Sequence, residues 1–268
     1  MTSAVSVERD GNALVITIDA IERRNALSRP LLYGLADAIA GIDDDITGIV
    51  ITGAGETFSA GADFAELTGT SADADYDDVV GAVAAAVTGS PVPVAAALEG
   101  PCVGAAAHLA LVCDVRIAGK GSWIQVPAVR LGLLYSPQAV KWLARRYPSD
   151  SVRRLLLLAE RFGADEARRA GFVSTVVPNG TACDHAVTLL GANGIESRGA
   201  ITLTRQLLNS VELGDYDDAV WQQRRRELLD SPERRRAVDD AKLRHGATSP
   251  DNSSSAHRQV HPGKAAQR

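Results

Sequence analysis

Two runs of small residues are the parts of this sequence best suited to chemistry. The first, ITGAGETFSAGADF (51–64), closes a short apolar segment. The second, EGPCVGAAAHLALVCD (99–114), joins an apolar segment to an Ala-rich one. Glycine and alanine let a ligand approach the backbone, and free N–H groups at a helix start favour negative charge. Neither run is a P-loop, since no Gly-Lys-Ser/Thr follows, and neither is GxGxxG with an acidic residue about 20 positions on. One exposed N–H from each run would instead suit a carbonyl oxygen gaining negative charge. Spacing alone leaves a plainer alternative open, that both are packing turns of an αβ fold.

The elements that must hold these turns follow from periodicity. Residues 5–8 and 13–18 alternate around Asp10-Gly11-Asn12 and predict a hairpin. Residues 29–42 predict a helix, with Ser28 as N-cap and Pro30 in its first turn. Buried strands are predicted over 48–52 and 93–98, a helix over 75–88, and an Ala-rich helix over 103–112. Further strands are predicted at 115–118 and 123–126. From about Pro137 the pattern turns helical, over 137–146, 150–160, 164–170, 182–190, 198–210 and 215–229, with one strand at 173–177. The repeating unit of strand, small-residue turn and helix indicates an α/β fold. Residues 246–268 carry almost no apolar side chains and read as a disordered tail.

Composition narrows the function classes. The 268 residues hold 28 Lys+Arg against 33 Asp+Glu, a net charge of −5, which argues against a nucleic-acid partner. With 46% hydrophobic residues the chain can build a core without metals or disulfides. Cys102, Cys113 and Cys183 are odd in number and widely spaced, so reduced thiols are expected, not disulfides or a zinc site. The start MTSAVSVERDG is too polar for a signal peptide, and no apolar run reaches the roughly 18–20 residues of a membrane span. A cytoplasmic protein is expected.

Four segments in this order, ERRNAL (22–27), TGAGETFSAGADF (52–64), PVPVAAALEGPCVGAAAHLALVCDVRIA (91–118) and VPAVRLGL (126–133), resemble the enoyl-CoA hydratase/isomerase (crotonase) superfamily over roughly residues 4–240. The resemblance implies a spiral of ββα units over 1–197 and a helical oligomerisation region over 198–245, assembling trimers or dimers of trimers. It implies an acyl-CoA thioester ligand, with coenzyme A entering as part of the substrate and no separate cofactor or metal. By motif position the two amides of an oxyanion hole are those of Ala62 and Ala105, and Arg24, Ala26, Ala60, Asp63 and Phe64 are candidates for CoA contact.

Two departures from the family pattern matter for chemistry. Hydratases of the family carry one Glu on the helix after the second donor and another after Pro in a PExxxG-like segment. Here those positions hold His108 and Ala128. Alanine cannot transfer a proton, so hydration by two carboxylates is not expected. His108, near a helix N-terminus that disfavours imidazolium, is the best-placed base, with isomerisation or thioester hydrolysis better suited to one such group. A packed core histidine is the plainer reading. Tyr135 and Ser136 are pocket-wall residues that could also donate a proton. Glu99 is expected to cap a strand end, Glu66 to be a solvated loop carboxylate, and Asp114 to be structural. The runs 224–226 and 234–236 of arginine read as solvated helix faces, or as contacts to a neighbour's CoA phosphates. The alternative function is an inert acyl-CoA-binding protein of lipid metabolism that keeps the cradle without the chemistry.

Overall fold

The computed structural model describes residues 4–192 and 198–245. It is mixed α/β. Strand β1 (Ala4–Asp10) forms the expected hairpin with β2 (Ala13–Asp19), and helix α1 (Arg29–Ala40) follows. Next come β3 (Gly48–Gly53), α2 (Ala74–Gly89), β4 (Val94–Leu98), β5 (Pro101–Val103) and α3 (Ala105–Val112). After β6 (Val115–Gly119) and β7 (Trp123–Gln125) come α4 (Pro137–Arg146), α5 (Ser149–Leu157), β8 (Phe162–Gly163), α6 (Ala164–Arg169), β9 (Thr175–Val177) and α7 (Ala182–Gly191). The chain ends in α8 (Arg198–Leu213), α9 (Asp218–Leu229) and α10 (Pro232–Arg244).

A six-stranded sheet runs β1-β2-β3-β4-β6-β9, parallel from β2 onward, and a three-stranded sheet runs β5-β7-β8. The larger sheet is covered on both faces, so its central strands read as continuous apolar runs. In β3, Ile49 and Ile51 join the core that contains α1, α2 and α3, while Val50 between them packs with Ala182, Ala186 and Leu190 of α7. In β4, Val94, Ala96 and Leu98 face the first core and Ala95 and Ala97 the second. That two-residue period forces small side chains beneath α7: a Cβ at Gly48 would stand 2.8 Å from Leu190.

Two expectations change. The helix expected over 103–112 is split: residues 101–103 form β5, and the helix starts only at Ala105, because Gly104 at φ 55° and ψ −117° breaks the run. That conformation belongs to glycine alone. Short β8 was not expected, since two residues carry no readable period. By contact the chain divides into two compact units at 225/226. Helix α8 stays with the first unit because Arg205, 7% exposed, reaches the Asp114 carboxylate at 2.9 Å and the Val87 carbonyl at 3.1 Å. The tail expected over 246–268 lies outside the described residues.

Candidate active site

The first turn is built backward from the end of β3. Asn25, wholly buried and at φ 56°, accepts from the Ala20 amide at 3.0 Å and donates to the carbonyls of Ala54 and Thr57 at 2.9 and 2.6 Å. One side chain thereby fastens the 22–27 segment to the Gly-rich loop. Sequence reading passed over Asn25; an Asn between Arg and Ala in a tight turn was the available signal. Beyond it, the amides of residues 59–63 are almost all engaged. Ser59 N–H donates to Pro101 at 3.0 Å, Ala60 to Arg24 at 2.9 Å, Gly61 to the Ser59 hydroxyl at 3.1 Å and Asp63 to Leu27 at 3.2 Å. The Ala62 amide has no partner among the described residues.

The second turn shows the same pattern. Val103 N–H donates to Ser59 at 3.1 Å and Gly104 N–H to Gln125 at 2.9 Å, whereas the Ala105 amide, first of α3, has no partner among the described residues. A helix start leaves such donors free. The two turns touch. A Cβ at Gly61 would lie 2.5 Å from the Val103 carbonyl oxygen and 3.7 Å from the Ala105 nitrogen. Gly61 also sits at φ 91°, so the position is closed to other residues twice over. Ala105 is not among the residues of positive φ, so alanine supplies this amide without strain.

His108 stands three residues after Ala105, on the same side of α3. It is 7% exposed, and its imidazole makes no hydrogen bond among the described residues. Burial lowers its pKa to about 4, so the ring is neutral near pH 7. Desolvation is the cause the structure supplies, where the sequence reading had invoked the helix terminus. The ring lines a cavity of about 880 Å³ between α2, α3, α4, α8 and α9 whose walls do not include Ala62 or Ala105. The imidazole therefore lines a cavity shared with α2, α4, α8 and α9.

The other site expectations sort by what each side chain touches. Tyr135 meets His108 edge-on at 6.2 Å between ring centres, and its hydroxyl donates to the Gly104 carbonyl at 2.9 Å. Burial pushes the phenol above its ordinary range. Tyr135 thus braces the second turn through its hydroxyl. The Asp63 carboxylate, 4% exposed, pairs with Arg23 and accepts from the Ala65 amide at 3.0 Å. Arg24 is exposed at φ 52°, Phe64 is 69% exposed, and Ala26 and Ala60 are half-buried beside the first turn. Ala128 is buried in a short 3₁₀ turn and offers no proton.

Residues set aside as structural have partners elsewhere. Glu66 is not solvated; it accepts from the Arg29 amide at 3.1 Å and pairs with that guanidinium at 3.0 Å, capping α1. Glu99 accepts from the amides of Gly180 and Ala182 at 2.9 and 3.2 Å, at the start of α7. Asp114 is structural as expected, accepting from Val94 at 2.7 Å and pairing with Arg205. Cys102 and Cys113 are buried with raised thiol pKa values, about 12 for Cys113, which removes them as nucleophiles. Among the described residues no cluster could hold a metal ion, and no helix is long and apolar enough to cross a membrane.

Comparison with known proteins identifies the family. The profile of the enoyl-CoA hydratase/isomerase family matches residues 8–224. The chain is 30% identical over 212 residues to the 2,3-dehydroadipyl-CoA hydratase of Escherichia coli (strain K12), covering 78% of this chain and 83% of that protein. Among solved structures it is similar to DspI of Pseudomonas aeruginosa, with TM-score 0.81 and 29% identity over 91% of this chain and 95% of that one. An enoyl-CoA hydratase/carnithine racemase from Magnetospirillum magneticum superposes with TM-score 0.82 and 25% identity, over 92% and 94% of the two chains.

Proposed function

Because the chain belongs to the enoyl-CoA hydratase/isomerase family, we propose that it binds an acyl-CoA thioester with the carbonyl oxygen between the Ala62 and Ala105 amides and moves protons with His108. The observation that carries the reading is the pair of unengaged N–H groups, Ala62 and Ala105, on two turns that touch where Gly61 meets Val103. Such donors, fixed in advance, favour the oxyanion that develops on the thioester.

The acid/base inventory selects the reaction type. With Ala at 128 and His at 108, a double-bond shift fits better than hydration. His108 removes a proton from the carbon next to the acyl double bond, and the electron pair moves into the thioester. The enolate oxygen rests on the two amides until the imidazolium returns the proton at the other end of the shifted system. Thioester hydrolysis uses the same parts: His108 takes a proton from water, the oxygen attacks the carbonyl, and the departing CoA sulfur receives that proton. Arg24, Ala26, Ala60 and Phe64 flank the side on which CoA would lie, with the Arg24 guanidinium available to a phosphate. Assembly into trimers or dimers of trimers and residence in the cytoplasm belong to the same proposal.

The test compares wild type with His108→Ala. Enoyl isomerisation, crotonyl-CoA hydration and thioester hydrolysis are followed by absorbance, and thioester affinity by calorimetry. We expect His108→Ala to lose about 10²–10⁴-fold in turnover while binding persists. Wild-type affinity without turnover on any thioester would make the protein a carrier, and failure to bind any CoA thioester would overturn the reading.

A further inference from the structure

The cavity lined by His108 also carries a group of charges that a fatty chain does not need. Four aspartates line it, Asp77 and Asp78 on α2 and Asp215 and Asp217 before α9, against a single arginine, Arg224. The arginine is engaged, donating to the Gln206 side chain at 3.1 Å and stacking over Trp221 at 4.8 Å. Asp217 is engaged too, accepting from the Ala219 and Val220 amides at 2.9 and 3.2 Å. Asp215, next to Gly214, has neither an ion pair nor a side-chain hydrogen bond among the described residues. Asp77 and Asp78 have neither an ion pair nor a side-chain hydrogen bond among the described residues.

We infer that the acyl group of the substrate ends in an ammonium group, which Asp77 and Asp78 bind in this cavity. This rests on the reading above, which sets the carbonyl at the Ala62 and Ala105 amides.

A second observation, independent of the carboxylates, points to a ligand in the same space. The His108 imidazole is nine-tenths buried and has no hydrogen-bond partner among the described residues, yet no fully enclosed side-chain nitrogen or oxygen lacks one. Its ring nitrogens therefore open into the cavity, and a buried polar group without a partner is the usual sign of a bound group or water. Asp77, Asp78 and His108 line the same cavity. The charge of Asp77 acts on the Tyr135 phenol, which itself meets the His108 ring. Asp77 is half-buried, and its carboxyl is pushed up by burial and then by Asp78 and Asp73, with no cation acting against them. An ammonium group there relieves that repulsion; an alkyl chain would only strip water from the carboxylates, and a carboxylate-ended acyl group would add to the negative charge.

The test uses three thioesters of equal length on the full chain: 6-aminohexanoyl-CoA, hexanoyl-CoA and adipyl-CoA, with affinities measured by calorimetry near pH 7.5. The ammonium thioester is expected to bind about tenfold tighter than hexanoyl-CoA, and adipyl-CoA weaker still. Asp77→Asn should bring the ratio of the first two within about twofold, while the exposed Asp75→Asn, with the same change in net charge, should keep it. Hexanoyl-CoA binding as tightly as the ammonium thioester to wild type overturns this inference and leaves the reading above standing. Should none of the three bind, that reading falls and the inference with it. A full ammonium preference in both Asp77→Asn and Asp78→Asn removes these two residues as its source and overturns the assignment.

Discussion

The paired turns and the cavity beside them are built on opposite rules. In the turns the Ala62 and Ala105 amides are left unengaged on loops that neighbouring backbone bonds and the side chains of Asn25 and Tyr135 fasten in place. In the cavity the carboxylates of Asp77 and Asp78 and the imidazole of His108 have no hydrogen-bond partner among the described residues. A donor made of backbone and fixed by its neighbours needs no reorganisation when charge develops, which suits the atom common to every thioester. Side chains on helix faces cost more to leave unpaired but can be exchanged without moving the backbone. The difference separates the part of the molecule that sets reaction type from the part that sets which acyl group is accepted.

Disturbing the turns should have the largest effect. Gly61→Ala places a Cβ 2.5 Å from the Val103 oxygen at φ 91°, so the two turns must separate or the chain must strain. A loss of about 3 kcal/mol or more is expected by urea denaturation, together with loss of thioester affinity. Retained stability and affinity would show that the contact between the turns is not what holds the amides.

A pH experiment sharpens the other side. His108 titrates at about 4 when folded, against 6.5 ordinarily, so the unfolded chain binds a proton that the folded chain refuses between those values. Stability from this group is therefore complete above pH 6.5 and is lost as pH falls toward 4, by about 3 kcal/mol. The groups around it are Tyr135, the cavity carboxylates Asp77, Asp78, Asp215 and Asp217, and the Arg224 guanidinium. Between pH 7.5 and 4.2 the wild-type urea midpoint should fall relative to that of His108→Gln, which has no such group to titrate. Parallel curves would mean that the imidazole is hydrated in the cavity.

Legibility in the sequence followed the same division. The turns were readable because glycine and alanine in such runs have few uses: Ala62 and Ala105 emerged from motif position, and both amides are unengaged. The hairpin and the buried strands were readable because the two-residue period is written in the side chains. What the sequence hid was the pairing of distant groups. Asp63 pairs with Arg23, and Glu66 looked solvated but caps α1; a carboxylate in a loop carries no mark of the guanidinium that meets it. Asp77 and Asp78 escaped notice since on a helix they look like any solvated pair; only the packing of α4, α8 and α9 around them gives the pair a cavity to face.

The smallest expected effect probes the joint between the two regions. Tyr135 belongs to both, its ring against His108 and its hydroxyl on the Gly104 carbonyl, one residue before the Ala105 amide. Tyr135→Phe keeps the ring and removes one hydrogen bond, so a stability loss of about 1 kcal/mol is expected. If the hydroxyl only braces the turn, turnover should fall a few-fold with no change in the shape of the pH profile, because a phenol held above its ordinary range and bonded to a carbonyl delivers no proton. If it delivers the proton, the loss should approach that of His108→Ala and the alkaline limb of the profile should change. The first outcome leaves His108 as the sole proton carrier and makes Tyr135 the strut through which the acyl cavity is held against the amides.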